Sequence, residues 1–356
     1  MKRIQKSYRL PTGSLQMDLS ALDQSPVFSN QTSAEALQNT LECAIACEKL
    51  GLKRYWVAEH HNSRSGARSF AGNAPEVLMP ALAARTNTIR VGSGGVMLNH
   101  YSPLKVAECF SLMATLFPDR IDLGIGRAPG GDPLQAGALA YGSKTTGADF
   151  YPTKVADLTA WINGEAPTTE AFRRIQLVDS GQPRPEIWQL ASSQDGALYA
   201  AHFGLPLALA HFINPECTDY AQEYRKARAH YNQEHSPVDS SDDGRIILAV
   251  FAICAETEAE ARQLAQPAAL WRNQIQRGLF GQFATTEEAA IALQNKPAAE
   301  NERALIGTPE QLRSKLQKLV EKSDADELMV VTICEPIQAR IKSYSLLQET
   351  VSAISK

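Results

Sequence analysis

Short apolar and β-branched runs alternate along the chain with stretches in which apolar residues recur every three to four positions. The short runs predict strands at 15–19, 54–58, 89–97, 120–125, 186–190, 206–210, 245–254 and 326–333. Helical periodicity follows each of them, at 33–50, 75–85, 103–116, 152–162, 195–202, 215–231, a pair at 257–271 and 309–321, and 336–354. Several helix starts carry their own signal. Thr32 with Glu35, Thr257 with Glu260, and Thr308 with Gln311 fit capping boxes, and Pro309 takes a first helical position. Leu312, Leu316, Leu319 and Val320 then form one apolar stripe. Gly51 and Gly204 read as helix stops. Strict alternation implies a parallel sheet, and eight units imply a (β/α)8 TIM barrel with its active site on the loops after the C-terminal strand ends. The competing architecture is an open doubly wound sheet, whose Gly-x-Gly-x-x-Gly after the first strand is missing here. The expected organisation is an N-terminal extension over 1–14 and one barrel over 15–356. Long excursions are expected near 127–151, 163–185 and 273–307.

Composition narrows the class without changing this picture. With 44% hydrophobic and 21% charged residues, and 35 basic against 39 acidic side chains for a net charge of -4, the chain reads as a soluble globular protein. No basic stripe invites nucleic acid. Six cysteines without a CxxC pair sit in apolar patterns, as reduced, buried thiols of a cytoplasmic protein would. The basic first residues are followed by no apolar segment of signal or membrane-spanning length, so no membrane association is expected.

Four predicted strand ends carry candidate chemistry. The second ends in Glu59-His60-His61, where strand parity puts His60 on the face of Trp56 and Ala58, and Glu59 and His61 on the other. Adjacent histidines on opposite faces cannot share one metal. The third contains Gly92-Ser93-Gly94-Gly95, and glycines in a core strand mark a bulge, a tight corner or close approach of a ligand. The fourth leads through two glycines to Arg127, and the fifth runs through Ser192-Ser193 into a helix. Backbone amides and two hydroxyls at that helix start suit either a phosphate or simple capping.

These residues, with Pro103, Val106-Ala107-Glu108, Arg120 through Arg127, Gly204-Leu205-Pro206, Gly307-Thr308-Pro309 and Ala325 through Met329, resemble the bacterial luciferase-like flavin-dependent monooxygenases. The resemblance runs from about residue 15 to the last helix. It is closest to the single-chain luciferase-like oxidoreductases with an arginine-alanine-proline-glycine motif after the fourth strand. It implies that His60 faces the reactive edge of a flavin. It further implies that a non-prolyl cis peptide joins Gly94 to Gly95 behind the ring, and that Arg127 and Ser193, with Ser192 beside it, hold the phosphate. Ser192 stands where luciferase has glutamate and Gly126 where it has cysteine, so light emission is not implied.

The leading expectation is therefore an FMN-dependent monooxygenase. It would take reduced FMN from a separate flavin reductase and act with O2 on a small organic substrate, as a cytoplasmic homodimer. An F420-dependent dehydrogenase of the same fold and a non-catalytic flavin-binding protein are the alternatives. A metal-dependent hydrolase is disfavoured, because the strand ends offer no His-x-His and no convergent carboxylates. A side chain at Gly95 is expected to enter the space of the flavin ring.

Overall fold

Among the described residues nine strands build the sheet: β1 Asp18–Asp23, β2 Arg54–Val57, β3 Arg90–Met97, β4 Ile121–Gly126, β5 Glu186–Ala191, β6 Leu207–Ala210, β7 Ile246–Cys254, β8 Ala304–Gly307 and β9 Glu327–Val331. The structure, a computed structural model, describes residues 17–61, 68–143, 150–177, 181–235, 244–294 and 302–354. Every pairing between these strands is parallel, and the ring closes as β1 through β7, then β9, then back to β1. The fold is thus the expected eight-stranded (β/α)8 barrel rather than an open sheet. No described helix is long and apolar enough to cross a membrane.

Two expectations need correction. The first strand runs over Asp18–Asp23 rather than 15–19, of which 15 and 16 lie outside the described residues. Hydrophobicity misplaced it because its polar residues are buried with partners: Ser20 donates to Glu327, and Asp23 pairs with Arg340 at 2.8 Å. The 273–307 excursion is no plain loop. The helix Gln266–Gln276 extends into it, the helix Thr286–Ala292 follows with a full capping box at Thr285, and β8 pairs with the far end of β7, outside the ring. β8 has only four residues, too few to show a period. The 127–151 excursion likewise holds a helix, Pro133–Leu139, capped by Asp132.

Two apolar clusters follow from strand parity. Leu22, Trp56, Trp188, Ile247 and Met329 fill the barrel, while Leu19, Tyr55, Val91 and Leu328 face the helices outside. All six cysteines are free thiols.

The N-terminal end of the barrel interior is ionic. Arg54 on β2 is buried and reaches Asp122 on β4 at 2.9 Å, Glu186 on β5 at 2.7 Å and Glu327 on β9 at 3.1 Å. Arg90 and Arg245 add contacts to Asp122 and Glu186. The indoles of Trp56 and Trp188 donate to the same two carboxylates at 2.9 and 3.1 Å. Burial pushes the Glu186 carboxyl up, but Arg54 and Arg245 outweigh it and hold it down to about 2. A carboxyl held below its ordinary 4.5 adds stability above that pH and loses it as the pH falls toward 2. Arg54→Met should therefore lower unfolding free energy at pH 7 by ~3–5 kcal/mol, because it leaves buried carboxylates uncompensated. The deficit should shrink below pH 4.5 in denaturant titrations. A loss under ~1 kcal/mol at pH 7 would show that the acids are held by other partners.

Candidate functional site

At the C-terminal end of the barrel the strands open onto a cavity of about 540 Å³, within the range of roughly 300–1,000 Å³ typical of small-molecule sites. The six residues singled out from sequence, His60, Gly94, Gly95, Arg127, Ser192 and Ser193, all border it. Four strands that are distant in sequence bring them together. The wall is largely apolar, with Leu22, Trp56, Leu190, Ala208 and Met329 among its residues.

His60 lies three residues beyond β2. Its backbone N–H donates to Gly72 O at 3.0 Å, and its ring stacks on Phe70 with centroids 4.4 Å apart. Nδ1 is buried without a hydrogen-bond partner. Burial pushes the imidazole down to about 4, with His61 acting in the same direction and Glu59 against it. The ring is therefore neutral at pH 7, with one nitrogen able to donate and one to accept.

Strand parity misassigned Glu59. β2 ends at Val57, and Glu59 borders the cavity beside His60. It is buried and fully engaged, accepting from Tyr101 Oη at 2.6 Å and from Met97 N at 3.0 Å, and pairing with His61 Nε2 at 2.8 Å. Burial and this carboxylate push the Tyr101 hydroxyl pKa up.

Arg127 sits on a loop fastened from several sides. Asn99 Nδ2 donates to Arg127 O at 3.0 Å, His100 Nε2 to Pro129 O at 2.9 Å, and His61 N to Gly130 O at 2.9 Å. Its guanidinium has no ion pair or hydrogen bond among the described residues. Ser193 is the N-cap of the helix Gln194–His202, and its Oγ accepts from Gly196 N at a long 3.4 Å. Ser192 O accepts from Asn214 Nδ2 at 2.9 Å. The capping reading of this serine pair thus holds for Ser193, while both residues face the cavity.

The Gly94–Gly95 peptide is cis, as expected, and the β3–β4 register shifts between Gly94 and Val96. The role given to these glycines changes. A Cβ at Gly95 would meet Gly124 O at 2.9 Å and Leu190 Cδ2 at 3.0 Å, so it would strike the barrel wall rather than enter the cavity. A Cβ at Gly94 would strike Leu22 and Trp56, and one at Gly92 the Trp56 indole at 2.4 Å. Gly126 alone of the barrel-strand glycines meets nothing within 4 Å. Sequence reasoning missed Tyr151, whose hydroxyl donates to Gln189 Oε1 at 2.9 Å on the cavity edge, and Tyr199 beside it. A tyrosine within a helical pattern gives no sign of which face it takes.

Residues 17–326 match the family model described as luciferase-like monooxygenase. The uncharacterized protein YwcH of Bacillus subtilis (strain 168) is 39% identical over 339 residues, covering 94% of this chain and 98% of that protein. The N-acetyl-S-alkylcysteine monooxygenase of the same organism is 34% identical over 343 residues, covering 95% and 99%. Among solved structures, apo-MsnO8 superposes with a TM-score of 0.81 at 34% identity, covering 96% of this chain and all of that one. Two more distant structures share the fold at a TM-score of 0.67. One is the oxygenating constituent of 3,6-diketocamphane monooxygenase from Pseudomonas putida in complex with FMN, at 16% identity and covering 96% and 99%. The other is an F420-dependent secondary alcohol dehydrogenase, at 13% identity and covering 95% and 99%.

The geometry of His60 makes a solution prediction. A histidine held down to about 4 in the fold binds its proton only below pH 5, so its contribution to stability is present above the ordinary 6.5 and is lost as the pH falls from 6.5 toward 4. The His60 ring signal in an NMR titration should stay flat from pH 8 to about 5.5 and move below that. A midpoint near 6.5 would mean that the ring is solvated and not sealed against Phe70.

Proposed function

Because the chain belongs to the luciferase-like monooxygenase family, we propose that it is an FMN-dependent monooxygenase that uses reduced FMN and O2 on a small organic substrate. One observation carries the reading. A single apolar cavity combines an unpaired guanidinium and a helix N-terminus on its β4–β5 side with a neutral, unpartnered imidazole nitrogen on its β2 side.

The residues present fit such a cofactor. Arg127, Ser192, Ser193 and the first amides of the helix Gln194–His202 offer charge and donors to a phosphate, which helix N-termini bind readily. Gly126 opens onto free space and leaves room for a planar ring, with Gly94 and Gly95 bordering the cavity beside Trp56 and Leu22. When bound, reduced FMN supplies the electrons that activate O2. His60 then holds or passes a proton at the imidazole, a task suited to a ring kept neutral by burial. The apolar walls exclude water and strengthen every polar contact within. Delivery of the reduced cofactor by a separate reductase, a cytoplasmic setting and a homodimeric assembly complete the proposal.

Titration of the purified protein with FMN, reduced FMN, riboflavin and F420 tests it. The FMN forms should bind in preference to F420. Arg127→Ala should weaken FMN by ~1.5–3 kcal/mol, the range for a charge-assisted hydrogen bond, and leave riboflavin unaffected. Equal loss for both ligands would remove the phosphate role from Arg127, and tighter F420 binding would replace oxygen chemistry with hydride transfer.

A further inference from the structure

The helix Gln266–Gln276 roofs the C-terminal mouth of the barrel. Ala268 packs into the interior cluster, and Trp271 meets Phe70 at 5.4 Å and Phe283 at 5.0 Å between ring centroids. The next residue, Arg272, turns to the barrel and sets its guanidinium 4.4 Å from the ring centroid of Phe251. Phe251 lies on β7 two residues past Ala249, which lines the cavity, so its Cα stands about 6–7 Å further along the strand.

The charge of Arg272 has no counterpart. The side chain is partly buried and makes no ion pair or hydrogen bond among the described residues. The charge that acts on it is Arg303, of the same sign, placed there because the neighbouring Ala304 pairs with Phe251. Burial and Arg303 both push the guanidinium pKa down. The two most deeply buried arginines among the described residues are set against acids: Arg54 against Asp122, Glu186 and Glu327, and Arg340 against Asp23. A guanidinium desolvated beside another, over an aromatic face at the mouth of a cavity, lacks an anion.

We propose that Arg272 is a specificity-determining residue that binds the carboxylate of the organic substrate, so that the substrate class is an organic anion with an apolar body. The apolar body follows from the walls between Arg272 and the cavity floor, which are Phe251, Val331, Ala249 and Met329. The inference rests on the function proposed above only in treating the bound anion as the molecule that is oxygenated. The anion-binding step stands by itself.

Phosphate and carboxylate share this chemistry, and the test separates the two sources. Hexanoate and its uncharged counterpart hexan-1-ol are titrated calorimetrically into the full chain, alone and saturated with FMN. Hexanoate should bind at least about tenfold more tightly than the alcohol in both states, as a charge-assisted contact requires. Arg272→Gln should erase that margin and Arg272→Lys should keep part of it. Arg127→Ala should leave the margin intact, and FMN affinity should stay within about twofold in Arg272→Gln, whose thermal unfolding serves as the folding control. Equal binding of the two ligands, no hexanoate binding, or a margin that survives Arg272→Gln overturns the proposal. So does a margin abolished by FMN saturation or by Arg127→Ala, which assigns the anion to the phosphate end of the cavity. If FMN fails to bind while the margin still depends on Arg272, the cofactor reading falls and the anion subsite stands.

Discussion

The barrel depends on one buried cation. Arg54 enters from β2 at the N-terminal end and is held simultaneously by carboxylates of β4, β5 and β9, with Ser20 of β1, Arg90 of β3 and Arg245 before β7 joining through those same acids. Taking such charges out of water is expensive unless every partner is in place. A slip of one residue on any of these strands would turn its charged side chain to the outer face and leave the others uncompensated. The ion cluster therefore ties ring closure to register, and it sets which residues face inward all the way up each strand.

Two residues above the ionic layer, the inward positions carry Trp56 and Trp188, whose indoles meet edge to face with centroids 5.9 Å apart and donate downward to Asp122 and Glu186. Two indoles in one barrel layer need space, and Gly92 on the strand beside Trp56 supplies part of it, while Gly124 lets β4 pack closely against β3 and Leu190. A Cβ at Gly92 would overlap Trp56, and one at Gly124 would meet Ser93 O at 2.2 Å and Leu190 Cδ1 at 2.7 Å. One layer higher most of the inward residues that border the cavity are small, Ala58, Gly94, Gly126, Ala210 and Ala249, with Leu190 beside them. The cavity begins where the large side chains end. Its floor is thus placed by the tryptophans, and the tryptophans are placed by Arg54 and its acids.

This layering explains what the sequence could and could not disclose. Strand order and closure were readable because parallel strands buried on both faces appear as apolar runs, and each run was followed by a periodic helix. The residues that meet at the cavity were readable as strand-end chemistry. What they do locally was less so. The glycines of β3 suggested a ligand pressed against bare backbone, yet three of the four inward glycines on β3 and β4 face neighbouring side chains or backbone of the wall, a contact only three-dimensional packing reveals. Parity separates Glu59 from His60, yet beyond the end of β2 both border the cavity. β8, the last turn of the helix Gln266–Gln276 and the helix Thr286–Ala292 escaped because four residues show no period and short surface helices resemble a connecting excursion.

The contrast between the two ends of the barrel is itself an argument about function. At the N-terminal end each buried charge is met by an opposite one and each indole N–H by a carboxylate. At the C-terminal end, within one layer of an apolar cavity, His60 Nδ1 is buried without a partner, and Arg127 and Arg272 carry charge that no described residue answers. The same chain that satisfies a triad of buried carboxylates could have supplied partners here, for a buried polar group left unmet costs ~1–3 kcal/mol. Unmet polarity facing one cavity mouth, on strands and a helix that the rest of the fold holds in place, is the arrangement expected when bound molecules supply the missing partners.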